Sequence, residues 1–126
     1  MSEKDNINLA RLLERNLYEV FGQADAIRRA IIIAELYTED CTFFEAEDKV
    51  VGHEALNDKV GQIQKGTPGL VFSAARPAQV AHNVARLQWR LGPAGQPPVV
   101  TGMDIAFFEK EKIQALYTFV DTPHGS

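Results

Sequence analysis

The sequence has few of the residues that mark secreted, membrane-spanning or disulfide-linked proteins. Its 126 residues include one cysteine, Cys41, so no internal disulfide can form. The longest aliphatic run, Ala30–Ala34, is far too short to cross a bilayer, and the charged segment 1–5 does not resemble a signal peptide. No Asn-x-Ser/Thr glycosylation site occurs. These absences predict a cytoplasmic protein with no membrane partner.

Motifs for common cofactors and nucleophiles are also missing. The histidines, at positions 53, 82 and 124, do not form a zinc-binding spacing with one another or with Cys41. There is no Gly-rich phosphate-binding loop and no Gly-x-Ser-x-Gly motif. Thirteen basic and seventeen acidic residues give a net charge of −4, which disfavours binding to nucleic acid. We expect no cofactor, no metal and no nucleic-acid partner; only a scattered carboxylate–histidine metal site stays open.

Helical periodicity dominates the first half of the sequence. We predict a first helix that ends near residue 21, a second that Asp25 caps and that ends near Tyr37, and a third over 53–65. The segment Thr38–Asp40 interrupts the second helical pattern. The apolar residues of the second helix form one stripe on the helix surface, made of Ile27, Ala30, Ile31, Ala34 and Tyr37. Ile32, Ile33 and Leu36 widen this stripe, so we expect a helix that is buried over most of its circumference.

The rest of the sequence alternates as strands do. A short strand over 41–45 precedes the third helix, and four longer segments follow it, at 70–76, 78–91, 99–110 and 113–121. In the segment 78–91 one face carries Ala85, Leu87, Trp89 and Leu91 and the other carries Arg86, Gln88 and Arg90. Both faces are apolar in the last two strands. Short connections predict antiparallel neighbours in an α+β fold, and the second apolar face predicts a homodimer.

This order of elements resembles the nuclear transport factor 2-like fold and, more narrowly, the SnoaL-like polyketide cyclase group. The matching segments are Ala26–Asp40, Val51–Ala55, Trp89–Gly95, Val99–Asp104 and Ile113–Asp121. The resemblance implies one domain over 1–126, with a cone-shaped, curved antiparallel sheet that three N-terminal helices close around an internal pocket. The superfamily includes isomerases, dehydratases, cyclases, epoxide hydrolases and non-catalytic binders, so the resemblance does not select one activity.

Ketosteroid isomerase, a relative within this superfamily, allows a comparison residue by residue. Its catalytic aspartate follows, by eight residues, a tyrosine that ends the second helix; here Glu45 follows Tyr37 by eight. Its oxyanion-hole aspartate lies seven residues after a Gln-Pro turn; here Asp104 lies seven residues after Pro97. Its oxyanion tyrosine corresponds in helix, though not in spacing, to Tyr18. The resemblance therefore implies Glu45 as base and Asp104 as oxyanion donor.

Asp104 also stands out on physical grounds. It lies in a predicted strand on a face otherwise made of Val100, Gly102, Ala106 and Phe108. A carboxylate on an apolar face must be paired, hydrogen-bonded or protonated, because unpaired burial costs several kcal/mol. We expect a raised pKa and a role as hydrogen-bond donor, with a purely structural acid as the alternative.

Two further residues have a functional and an ordinary interpretation. Glu45 is a general base if it faces the pocket and an exposed acid if it belongs to the charged turn that follows it. His82 is a proton shuttle if a bulge turns it inward and otherwise a structural residue. Cavity-lining residues are expected at Tyr37, Phe43, Leu87, Trp89, Leu116 and Val120.

The sequence thus favours a small cofactor-independent lyase, isomerase or cyclase with a hydrophobic small-molecule ligand. Glu45 abstracts a proton, and Asp104, together with Tyr18 or His82, stabilises the developing negative charge. Two alternatives remain open. One is a ligand-binding or dimerisation module without turnover. The other is activation of water as in epoxide hydrolases, for which Arg86 is the one candidate strand arginine.

Overall fold

The computed structural model describes residues 3–121, and within this range the predicted helices and strands are present. The helices are α1 (Glu3–Arg15), its π-helical continuation (Asn16–Phe21), α2 (Ala26–Leu36) and α3 (His53–Gly66). The strands are β1 (Tyr37–Glu45), β2 (Asp48–Val51), β3 (Val71–Ala74), β4 (Gln79–Ala81), β5 (Val84–Gly92), β6 (Val100–Glu109) and β7 (Lys112–Val120). Among these helices, none is long and apolar enough to span a membrane.

The strands form one mixed, curved sheet in the order β2-β1-β7-β6-β5-β3, with β4 paired to β5. This architecture confirms the predicted α+β cone. The long strands pair antiparallel as expected, but β1 and β7 run parallel. A parallel pair needs a long crossover, and here the chain between β1 and β7, which includes α3 and the other strands, supplies it. Both β1 and β6 therefore flank β7.

The core lies between the helices and the inner face of the sheet. The alternation predicted for β5 is confirmed, since Ala85, Leu87, Trp89 and Leu91 are buried while the three polar residues between them are exposed. Leu9, Leu13 and Leu17 of the first helix are buried as well, as their helical spacing predicts. Asp25 caps α2 as expected, with its carboxylate accepting from the N–H groups of Ile27 and Arg28.

The prediction that α2 is buried over most of its circumference was wrong, although Ile33 and Leu36 are fully buried. Ile27 and Ile31 are 77% and 64% exposed, whereas Arg29 is only 3% exposed. The Arg29 guanidinium donates to Asn57 Oδ1 of α3 at 2.5 Å and to the backbone oxygen of Gln23 at 2.5 Å. These hydrogen bonds tie α2 to α3 and make burial of the charged group possible. The buried side carries Arg29, Ile33 and Leu36, and the side with Ile27 and Ile31 is exposed.

Two strand boundaries also differ from the prediction. The segment 78–91 is not one strand, because a turn at His82 and Asn83 divides it into β4 and β5. His82 has φ +56°, a left-handed conformation that histidine and asparagine adopt more readily than most residues. The helical pattern ends before Thr38–Asp40, as predicted, but this segment belongs to β1, which begins at Tyr37 and not at residue 41.

The outer face of the sheet carries a second set of apolar side chains. Phe44 stacks on Tyr117 with ring centroids 4.3 Å apart, and Phe107 meets Tyr117 edge to face at 5.7 Å. Phe107 and Phe119 are 37% and 56% exposed. Met103 and Ile105 lie between these rings on β6 and are partly exposed. We refer to these six residues as the outer aromatic face.

Candidate functional site

A cavity of about 230 Å³ lies between the helices and the inner face of the sheet. Its wall is almost entirely apolar. The apolar lining residues are Leu17, Phe21, Phe43, Ile63, Phe72, Trp89, Leu91, Val100 and Val120. The polar lining residues are Glu45, Thr67, Asp104 and Thr118. Both carboxylic acids predicted from the sequence therefore open into the same space.

Strand register aligns three of these polar residues in a row. Glu45 of β1 pairs with Thr118 of β7, and Thr118 pairs with Asp104 of β6. Residues in register on adjacent strands present their side chains on the same face of the sheet. Neighbouring strands lie about 4.8 Å apart, so the Cα atoms of Glu45 and Asp104 are separated by roughly 10 Å. Thr118 stands between the two acids.

Asp104 is enclosed, and its two carboxyl oxygens have different surroundings. The side chain is 3% exposed. Trp89 Nε1 donates to Oδ1 at 2.9 Å, and Thr118 Oγ1 donates to the same oxygen at 2.8 Å. Within residues 3–121, no donor reaches Oδ2. Burial raises the pKa of Asp104 to about 6, an effect that the hydrogen bonds from Thr118 and Trp89 oppose and the charge of Glu45 increases.

Gly102 makes the contact between Trp89 and Asp104 possible. Trp89 pairs with Gly102 across β5 and β6, and its indole ring lies directly over the glycine. A Cβ atom at position 102 would lie 2.2 Å from Cζ2 of Trp89 and 2.5 Å from the carbonyl oxygen of Phe119. Because glycine has no side chain, the ring can cross β6 and bring Nε1 to Asp104, two residues further along the strand.

Glu45 ends β1 and lies beside a lysine of α3. Lys59 Nζ is 3.6 Å from Glu45 Oε1 and 2.7 Å from Asp48 Oδ2. The side chains of Lys59 and Glu45 are 14% and 25% exposed. The hydrogen bond to Asp48 raises the pKa of Lys59, and the charge of Glu45 adds to this effect. The ammonium group thus links α3 to the hairpin of β1 and β2 at one side of the cavity.

The other predicted residues fall into three groups. Phe43, Trp89 and Val120 line the cavity. Tyr37, Leu87 and Leu116 are fully buried in the core but do not line it. Tyr18 and His82 lie outside it.

Tyr37, Tyr18 and His82 each have an identifiable place. The Tyr37 hydroxyl donates to Oδ1 of Asn16 at 2.5 Å, and burial raises the pKa of Tyr37 well above its ordinary value. Tyr18 is 49% exposed, and its hydroxyl accepts from the backbone N–H of Ala74 at 2.8 Å. His82 is exposed in the turn between β4 and β5. Neither Tyr18 nor His82 supports a role in the cavity.

Thr118 and Lys59 were not identified from the sequence as residues of the site. Thr118 shares strand parity with Leu116 and Val120, which places it on the inner face, so the alternation of β7 held a usable signal. Lys59 had no such signal, because its contact with Glu45 depends on how α3 packs on the hairpin. Among the described residues, no group of three His, Cys, Asp or Glu side chains is arranged to hold a metal ion.

The fold matches that of several solved structures. A protein of the SnoaL-like family from Agrobacterium tumefaciens superposes with a TM-score of 0.80 and 18% identity, over 94% of this chain and 99% of that one. A SnoaL-like protein from Jannaschia gives 0.79 and 16%, over 96% and 90%. A ketosteroid isomerase-like protein from Kribbella flavida gives 0.72 and 13%, over 97% and 84%.

These likenesses show a shared fold, the one that the sequence resemblance implied. No family model matches the sequence, and no curated protein does either. At such low identity the chemistry has to be argued from this chain's own cavity.

Proposed function

We propose that this protein is a cofactor-independent lyase, isomerase or cyclase that acts by acid–base chemistry on a small hydrophobic carbonyl compound. The observation that carries the proposal is that Glu45 and Asp104 line one apolar cavity. Two carboxylic acids in unlike surroundings are suited to opposite roles in proton transfer. Glu45 lies beside a lysine and is partly exposed, whereas Asp104 is enclosed and hydrogen-bonded.

The proposed reaction begins with proton abstraction. The Glu45 carboxylate takes a proton from the carbon next to the substrate carbonyl, and the electrons of the C–H bond move toward the carbonyl oxygen. Protonated Asp104 donates a hydrogen bond to that oxygen and stabilises its developing negative charge. The apolar wall excludes water, so this interaction is stronger than it would be in solvent. Return of the proton to another carbon, ring closure, or loss of a leaving group completes the reaction.

The cavity limits the size of the ligand. Its volume of about 230 Å³ is below the range of about 300–1,000 Å³ that is typical for drug-sized ligands. A substrate of one or two rings fits such a space, whereas a compound with four fused rings would have to extend out of it. We therefore expect a smaller substrate than a steroid.

The test begins with ligand discovery and ends with one substitution. Small cyclic ketones and enones are screened by thermal shift, because a ligand that binds only the native state raises the apparent stability. Compounds that bind are then assayed for turnover in wild type and Glu45→Gln. We expect kcat to fall by about 10²–10⁴-fold with little change in ligand affinity. Glu47→Gln, in the exposed turn beside Glu45, serves as the matched control.

Two results would overturn the catalytic proposal. Wild-type rates in Glu45→Gln would remove Glu45 as the base. Binding without turnover for every compound that fits the cavity would leave a ligand-binding module. The epoxide-hydrolase alternative lacks support, because Arg86 is exposed and donates to Gln79 at 2.7 Å, away from the cavity.

We also propose that two copies associate through the outer aromatic face. Its exposed rings form a second apolar surface that the protein's own helices do not cover, which is typical of protein interfaces. We expect a dimeric mass by sedimentation at micromolar concentration and a monomeric mass for Phe119→Lys. Ile27→Lys is the matched control, because Ile27 is an exposed apolar residue on α2. A monomeric wild type would refute the dimer.

A further inference from the structure

We infer that Thr118 is a positioning residue that, together with Trp89, occupies Oδ1 of Asp104 and thereby directs the acidic proton to Oδ2. The inference rests on the proposed function for its catalytic meaning and on the geometry of Asp104 for its structural content. Trp89 and Thr118 approach from the strands on either side of β6, and both donate to Oδ1. Oδ2 has no donor among residues 3–121.

The difference between the two oxygens determines where a proton is held. A protonated carboxyl group has one carbonyl oxygen, which accepts hydrogen bonds, and one hydroxyl, which donates. A proton on Oδ1 would compete with the two donors that already point at this oxygen. A proton on Oδ2 keeps both hydrogen bonds and leaves the hydroxyl free to donate. Asp104 lines the cavity, and its Oδ2 is not fully enclosed by protein atoms, so this oxygen is open to the cavity.

Substitution of Thr118 tests this role more cleanly than substitution of Trp89. Trp89 fills much of the cavity wall, and its removal would change the cavity as well as the hydrogen bond. Thr118 lies between Glu45 and Asp104 in the row across the sheet. Its hydroxyl provides one of the two donors, and valine reproduces the shape of threonine without this hydroxyl. Replacing the hydroxyl alone therefore isolates the positioning effect.

The groups that face Asp104 predict the direction of the effect. The charge of Glu45, from β1, raises the pKa of Asp104, and Asp104 in turn helps to raise the pKa of the buried Tyr37. Thr118 from β7 and Trp89 from β5 donate to it. Burial and the charge of Glu45 raise the pKa of Asp104, and once the Thr118 donor is removed only the hydrogen bond from Trp89 lowers it. Ionisation of Asp104 then requires a higher pH, and the proton is no longer confined to Oδ2.

The experiment uses the single tryptophan of the chain as a reporter. Trp89 Nε1 is bonded to Asp104, so its fluorescence should change as Asp104 ionises. We expect a transition near pH 6 in wild type, abolished by Asp104→Asn. Thr118→Val, which keeps the shape but lacks the hydroxyl, should move the midpoint upward by about one pH unit. Thr118→Ser, which keeps the hydroxyl, should leave the midpoint close to that of wild type.

The outcomes separate this inference from the proposed function. An unchanged midpoint in Thr118→Val would overturn the inference, as would an equal shift in Thr118→Ser. Thr118→Ala provides a second variant without the hydroxyl in case Thr118→Val does not fold. The fluorescence measurement needs no substrate, so it stands even if Glu45→Gln retains full activity and the proposed function fails. With a substrate in hand, the pH optimum should rise in Thr118→Val with little change in KM.

Discussion

Replacing Asp104 by Asn should stabilise the protein relative to wild type by an amount that grows from about pH 4 to about pH 6 and is constant above it. The amide has nearly the shape of the acid, and its Oδ1 still accepts from Trp89 and Thr118. The amide nitrogen takes the place of Oδ2, to which no residue between 3 and 121 donates. The substitution therefore removes the ionisable group and little else.

The magnitude follows from the pKa of Asp104. Burial raises it from 3.8 to about 6, so the folded state holds a proton between these values that the unfolded chain has already lost. Stability therefore falls as the pH rises from about 4 to about 6. The two pH units, at about 1.4 kcal/mol each, correspond to about 3 kcal/mol. Above pH 6 the cost of the buried carboxylate is constant.

Urea unfolding at several pH values provides the assay. The free energy of unfolding is measured for wild type and Asp104→Asn between pH 4 and pH 8, and the two curves are subtracted. Other carboxylates contribute equally to both proteins and cancel. We expect the variant to gain about 3 kcal/mol relative to wild type across this range. A difference that does not change with pH would refute the raised pKa and, with it, the role of Asp104 as a hydrogen-bond donor up to about pH 6.

Two further substitutions test how the cavity and the helices are held. Gly102→Ala should destabilise the protein by about 1–3 kcal/mol or more in urea unfolding, because the new methyl group overlaps the indole ring above it; wild-type stability would contradict the packing. Arg29→Met should cost about 2–3 kcal/mol, because amide groups of α3 and a backbone oxygen lose their buried donor. The exposed neighbour provides the control, since Arg28→Met should change stability by less than about 0.5 kcal/mol; equal losses would show that Arg29 is not special.

Local sequence patterns predicted most of the fold because they depend on neighbouring residues. The alternation in β5 assigned its buried face correctly, and an acid among apolar residues identified Asp104 as unusual. The same approach failed in part in α2. The apolar spacing included Ile27 and Ile31, which are exposed, and gave no sign that Arg29 is buried. Asn57 and Gln64 of α3 accept hydrogen bonds from that arginine and make its burial possible, and the spacing of residues along α2 contains no sign of them.

The arrangement of the candidate site depends on pairing between distant strands. Glu45 and Asp104 could each be proposed from the sequence, but their common cavity requires the register of β1 on β7 and of β7 on β6. Thr118 gains its importance only from that register. His82 was misplaced because a strand pattern continues on both sides of the turn that contains it. Turn residues inside an alternating segment are easily read as part of one longer strand.

The central place of β7 determines when this site can form during folding. Its parallel partner, β1, precedes it by most of the described chain, so the pairing closes a large loop and forms slowly compared with the hairpins. The hairpins of β1 with β2, of β5 with β6 and of β6 with β7 join nearby residues and can form earlier. Until β1 and β7 pair, each presents an open edge, and such edges favour association between incomplete chains. Thr118 and Asp104 are thus brought together by a local hairpin, and Glu45 joins their row only in the late step that pairs β1 with β7.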